Sequence, residues 1–467
     1  MDSEIKKIHD DLVSCKRSCR EIVSDKLALL KKNEHGTVNL LLTDYALALA
    51  EQKDKKIAAG ESIGLLEGVP FGIQDVILLQ NTLATGSSDF LRNYVSPYTA
   101  TSVQKLIDAG AIPVVKENCD SFGHGNTNEN SVFGAVSNAL DSEKVAGGSG
   151  GGSAVNVAKQ FTAFSIGDDS GGSIRQPAGY NKIYGFKPTF GRVSRYGCMS
   201  SSTGCVGPFA TSLEDIRIII NTISGKDKKD NTTFSSLPIP ETVFDSDYLN
   251  KNVKVGYYKN FIENDYLDNA IKDDFQKMID RLSSQGIQIK PLDIFDVDIF
   301  VSTFYVMALA ETASGLAKLD GTVLGERVNT KSLKDGYMTT RSEHLTAETK
   351  RRIIAGYQLL SHGYDTNIYS KANELKRSII KKMSQDFEEV DLMLSPVSTV
   401  LPPKLGTSQE DSLAMYMSDA FTVGFSLGGF PALTAPYFTP TGIQISANKN
   451  NEDRILHFAN FLRDHQQ

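Results

Sequence analysis

The chain has 467 residues, 40% of them hydrophobic, with 49 basic and 56 acidic side chains and a formal net charge of −7. A chain of this length buries a large core as one large domain or two to three ordinary ones. The mild acidity excludes a broad electrostatic footprint for nucleic acid, and no apolar run of about 18 residues marks a membrane span.

The first seven residues, Met1 to Lys7, carry acid early and no apolar core, so they read as neither a secretory signal nor an arginine-rich transit peptide. Residues 4–31 have helical spacing, with Ile5, Ile8, Leu12, Ile22, Leu27 and Leu30 as an interrupted apolar stripe. Cys15 and Cys19 fall four apart on it, a packing arrangement. With Cys119, Cys198 and Cys205 they make an odd set without zinc spacing, which predicts a reducing compartment and no metal. Residues 65–79, punctuated by Gly68-Val69-Pro70, predict strands and turns. A helix over 101–108 leads to a short buried strand at 111–115.

The run Gly147-Gly148-Ser149-Gly150-Gly151-Gly152-Ser153 precedes small apolar residues, 154–158, that suit a helix packed closely behind it. Residues 161–166 predict a buried strand ending at a second glycine loop, Asp168-Asp169-Ser170-Gly171-Gly172-Ser173. Residues 225–252 are polar and read as a surface excursion within the domain. Residues 267–285 predict an amphipathic helix, 346–386 two more with a break around Gly363, and 390–394 a strand ending at Ser395-Pro396. Lys350-Arg351-Arg352 and Lys376-Arg377 with Lys381-Lys382 read as solvated helix faces. The alternation of strands and helices, without repeats, predicts an α/β layered architecture.

Two serines in tight glycine turns suggest a relay, because a hydroxyl becomes a nucleophile when a neighbour takes its proton. A Gly/Ser linker competes, but the segment lies between strongly patterned elements. A nucleophile elbow also competes, since Gly148-Ser149-Gly150 sits in a G-x-S-x-G frame, yet the preceding Asp141-Ser142-Glu143-Lys144 is charged where that motif needs a buried strand. His344, His362, His457 and His465 are available as bases, and none has a telling context.

These two loops, together with Gly68-Val69-Pro70-Phe71-Gly72-Ile73-Gln74-Asp75, resemble the amidase signature family. The resemblance implies a single α/β/α domain with a mixed central sheet covered by helices, spanning 1–467. It implies Ser173 as nucleophile, Ser149 as the relay serine with a cis peptide bond, and the backbone amides of Ser170, Gly171, Gly172 and Ser173 as an oxyanion nest. The family's base is a lysine, and its position here is Gln74, whose amide is not basic near neutral pH. Gly150 for the family's serine, and Asp168 and Ser170 for its usual small polar residues, are milder departures.

Lys116-x-Asn118-x-Asp120-x-Phe122, the run from Gly185 to Gly197, Lys350-Arg351-Arg352-Ile353, Tyr416 with Asp419, and Gly428-Gly429-Phe430-Pro431-Ala432 narrow the resemblance. They are similar to the branch that releases ammonia from glutamine for glutamyl-tRNA(Gln) amidotransferases. That branch implies Arg352 for the glutamine carboxylate, Asp419 for its ammonium and Tyr305 for the pocket wall. It also implies no cofactor in this chain, ATP and Mg with a tRNA-binding partner, and a small accessory subunit. A mitochondrial matrix setting of fungal type is expected, with the cytoplasm as the alternative. A stand-alone small-molecule amidase and a catalytically silent scaffold subunit are the competing functions, the latter resting on Gln74.

Overall fold

A computed structural model describes residues 2–245, 253–361, 367–407 and 412–465. Eleven strands among these residues form one mixed sheet. They are β1 (Val38–Leu41), β2 (Pro70–Gln74), β3 (Ile112–Glu117), β4 (Phe164–Asp169), β5 (Tyr184–Lys187), β6 (Cys205–Ala210), β7 (Lys254–Tyr258), β8 (Gln288–Leu292), β9 (Leu392–Pro396), β10 (Ala432–Ala435) and β11 (Ile443–Ala447). The order across the sheet is β1-β3-β2-β4-β6-β5-β10-β11-β9-β7-β8. One sheet with helices on it is the single mixed α/β domain that the resemblance implied.

The part that matters for function is the parallel trio β3, β2 and β4. Each of these strands is buried at every position, which is why they read as short apolar runs and not as alternating patterns. Gln74 closes β2 opposite Glu117 of β3, while Asp168 and Asp169 close β4. The carboxyl ends of the trio therefore meet at one edge, the place where α/β sheets open crevices for ligands.

Several expectations are refined. The stripe over 4–31 is two helices, Glu4–Val13 and Cys19–Lys31, the second started by a capping box of Ser18 and Glu21. Cys15 lies between them at φ 54°, so the two cysteines do not share a helix. The helix over 267–285 is Asn269–Ser284, and the pair over 346–386 is Ala347–Leu360 and Asn367–Glu389. The break expected at Gly363 lies outside the described residues. The described part of the 225–252 excursion is pinned to the domain: Asp227 accepts from the hydroxyls of Thr101 and Ser194, both at 2.6 Å, and Val243 is buried.

Helix Val297–Gly315 extends through a turn to Lys318, and this stretch is long and apolar enough to cross a membrane, contrary to the sequence reading. Here it packs into the fold, and 44% of its apolar window is buried.

The floor beneath the site is tight. A Cβ on Gly72 would overlap Glu117 Oε1 and stand 2.6 Å from Ser165 Oγ. Glu117 is itself tied to Ser153, Asn156 and Ser165. Gly72→Ala is expected to destabilise the protein by about 1–3 kcal/mol in urea unfolding, the range for overpacking a well-packed interior.

Candidate active site

Asp169 is fully buried and builds the second glycine loop. Its Oδ1 accepts the Gly172 N–H at 2.9 Å, and its Oδ2 accepts those of Ile174 (3.1 Å) and Arg175 (3.2 Å). The guanidinium of Arg175, equally buried, grips the same carboxylate through Nε at 3.0 Å and Nη2 at 2.8 Å. It also donates to Thr422 O, Gln444 Oε1 and Ser426 Oγ. This pairing holds the Asp169 carboxyl below its ordinary range despite burial. Gly172 turns the chain at φ 143°, a left-handed value that favours glycine.

The Gly172 amide is thus committed to Asp169, which corrects the expectation that it faces an oxyanion. The N–H groups of Ser170, Gly171 and Ser173 have no acceptor among the described residues. Thr203 and Thr422 hold the carbonyls of Ser170 and Gly171 through their hydroxyls, which turns those peptide units.

Ser149 stands on the first loop after a cis Gly148–Ser149 peptide, as the resemblance implied. The loop is fastened by Gln176 Oε1, which accepts from Gly148 N at 3.0 Å, and by Asp120, whose amide donates to Ser149 O at 3.2 Å. Gly150 N donates to Ser173 O at 3.1 Å, so the two serine loops are directly joined. Both serines line one cavity of about 480 Å3, a size typical of small-molecule sites.

Gln74 is fully buried beside this cavity. Its Oε1 accepts the Asp168 N–H at 2.8 Å, which orients the amide so that Nε2 donates to Ser149 Oγ at 3.2 Å. No lysine, histidine or carboxylate among the described residues bonds to either serine hydroxyl. Lys116, buried on β3, is held by Asp75 (3.2 Å) and Ile77 O. Asp168 lines the cavity with its carboxyl on Ser200 Oγ at 2.8 Å, and burial pushes it up to about 7.

The same cavity contains Arg352, Asp419 and Tyr305, which the structure brings together as expected. The Tyr305 hydroxyl donates to Asp419 Oδ2 at 2.7 Å, and the Arg352 guanidinium lies 5.8 Å from the Tyr305 ring centroid. Asp419 occupies the N-cap position of helix Ala420–Gly428 but caps nothing with its side chain. Burial raises its carboxyl to about 7 against the pull of Tyr305 and Arg352. Arg352 is 8% exposed and bonds Glu348 Oε1 at 2.6 Å, so it is not part of a solvated face with Arg351.

Sequence reasoning missed Asn126, which donates to Met415 O, Ser418 Oγ and Asp419, and His124, whose Nε2 is 3.2 Å from Thr312 Oγ1. Burial, with the Arg352 charge, pushes His124 down to about 3, so it is neutral here. Among the other histidines, His344 pairs with Asp89, His457 faces Val243 O, His465 faces Phe461 O, and His362 lies outside the described residues. Among the described residues no cluster of His, Cys, Asp and Glu could hold a metal.

A family model described as Amidase matches residues 22–456. The A subunit of the glutamyl-tRNA(Gln) amidotransferase of Gloeothece citriformis is 37% identical over 98% of this chain and 96% of the relative. The structure of the corresponding amidotransferase chain from Thermotoga maritima superposes with a TM-score of 0.74 at 29% identity, covering 87% of this chain and 85% of that one. A chain from a vestigial complex linked to the origins of an s-triazine catabolic enzyme superposes at 0.86 over all of this chain and 98% of its own, and at 23% identity shows the fold alone.

Truncating the carboxylate that shapes the serine loop leaves Arg175 buried without its partner. Asp169→Ala is expected to cost about 3–5 kcal/mol of stability, the range for breaking a buried pair, read from urea unfolding.

Proposed function

The chain belongs to the amidase family, and on that footing we propose that it is the glutamine-binding member of a glutamyl-tRNA(Gln) amidotransferase in which an amide replaces the proton acceptor. The observation that carries the reading is Arg352 with Asp419 in the cavity that holds Ser149 and Ser173. A buried cation and a buried carboxyl match the α-carboxylate and α-ammonium of free glutamine, leaving its side-chain amide for the serines. An apolar amide has no use for that pair, which weighs against a stand-alone amidase of other small amides.

In this reading Ser173 Oγ attacks the glutamine amide carbonyl, and the amides of Ser170, Gly171 and Ser173 stabilise the oxyanion. Ser149 accepts the Ser173 proton and hands its own to the group at position 74, which later protonates the amide nitrogen so that it departs as ammonia. Water then releases glutamate from Ser173. Gln74 fails at the hand-off, because its Nε2 already donates to Ser149 and an amide nitrogen has no basic lone pair. General-base catalysis supplies typically about 10²–10⁴ in rate, and that is the deficit expected here. The same hydrogen bond favours a second reading, in which the chain is retained chiefly as a scaffold. ATP with Mg and the tRNA are handled by a partner chain, alongside a small accessory subunit, with the complex in the mitochondrial matrix; the similarity to amidotransferase chains supports the partnership.

A lysine buried at position 74 would be kept neutral by desolvation and able to accept the proton. Gln74→Lys should therefore raise glutamine hydrolysis by the full complex by about 10²-fold or more, and Ser173→Ala should remove the gain. Equal turnover with glutamine or lysine at position 74, abolished by Ser173→Ala, would overturn the assignment of position 74.

Glutamine binding should also depend on pH. With the Asp419 carboxyl raised to about 7, it is ionised above that pH and ready for the ammonium, and must lose a proton on binding below it. Affinity should fall up to about tenfold per pH unit below 7. Calorimetry with Asp419→Asn should show weaker binding at pH 8 and no such slope.

A further inference from the structure

The cavity is longer than free glutamine requires. Helix Val297–Gly315 lines it with Phe304, Tyr305, Ala308, Glu311, Thr312 and Gly315, one helical face whose ends are about 16 Å apart at 1.5 Å per residue. Tyr305, which touches Asp419, belongs to one end, and a Cβ on Gly171 of the serine loop would meet the Phe304 ring there at 2.6 Å. Leu316, Leu319 and Leu324 follow beyond the other end and line the same cavity with Leu91, Tyr94 and Phe122. Leu91, Phe122 and Leu319 belong to one apolar cluster separate from the main core, and Tyr94, Leu316 and Leu324 pack against it. Between the two ends Ser202 donates to Glu311, and Ser200 and Ser201 line the same cavity.

We propose that this apolar arm binds the substituent of a glutamine γ-amide that bears an arylalkyl group on its amide nitrogen, while Arg352 and Asp419 hold the amino-acid end. The inference rests on the glutamine reading of Arg352 and Asp419 and extends it to a ligand class. The reacting carbonyl lies at the serines, and a substituent on the amide nitrogen projects away from the charged end. An amino acid with a five-carbon chain does not span a helical face of about 16 Å, so the arm remains for that substituent. Its walls offer an aryl ring apolar contact and aromatic edges from Tyr94 and Phe122.

The test is calorimetry on the full chain with glutamine and with N5-(4-phenylbutyl)glutamine, where turnover is not needed. The phenylbutyl compound is expected to bind about tenfold or more tightly than glutamine, the effect of removing an aromatic ring from water. Leu324→Asp, which makes the arm polar, and Leu324→Trp, which fills it, should each abolish that advantage while leaving glutamine affinity in place. Arg352→Gln should weaken both ligands. If glutamine binds and the phenylbutyl compound binds no tighter, or keeps its advantage in both Leu324 variants, the inference is overturned and the glutamine reading stands. If neither ligand binds, both fail together.

Discussion

Asp169 and Arg175 are both shut away from solvent, and between them they decide where the backbone of the serine loop goes. A carboxylate with no water near it must be paired and fully hydrogen-bonded. Here the acceptor sites of Asp169 are met by three backbone amides and a guanidinium, and the remaining guanidinium donors are spent on Thr422, Ser426 and Gln444. Those partners come from helix Ala420–Gly428 and from β11, far along the chain. The loop after β4 is therefore locked to the half of the sheet that also positions Asp419, and Ser173 and Asp419 are registered by one buried ion pair.

Against that rigid frame the identity of residue 74 has a defined chemical meaning. The Asp168 N–H fixes the amide's orientation, with oxygen toward Asp168 and nitrogen toward Ser149. On the proposed reading, a side chain that fills the position and bonds Ser149 preserves packing while removing basicity. The fold and the ligand pocket are thus independent of the proton transfer, and a chain can keep the first two while losing the third.

Much of this was legible in the sequence because it is local. The glycine loops and the short buried strands of the trio sit in contiguous motifs, as does Gln74, whose alignment with the family's lysine came from the resemblance. Arg352 and Asp419 were legible only through resemblance, since nothing local distinguishes a buried arginine in Lys350-Arg351-Arg352 from its exposed neighbour. Arg175, Asn126 and His124 were missed because their roles are set by partners elsewhere in the chain: Asn126, for example, reaches residues 415–419. Asp169 bonds only within its own loop, and it was missed because the spacing does not show which way its carboxylate turns. Gly172 was misread for a related reason, since its amide looks free until the Asp169 carboxylate is seen to take it. The long apolar helix beginning at Val297 went unflagged because serines and threonines interrupt its run, although its mean hydropathy passes for a span.

On the proposed reading, Ser173 is well placed and poorly activated. The most direct measurement of that state is the rate at which a fluorophosphonate labels Ser173 across pH 6–9 in the chain as it stands and with lysine at position 74. Slow labelling without an inflection is predicted for the Gln74 chain, and faster labelling that rises as the amine loses a proton for the lysine variant. Equally fast labelling in both chains, with the same pH profile, would contradict it.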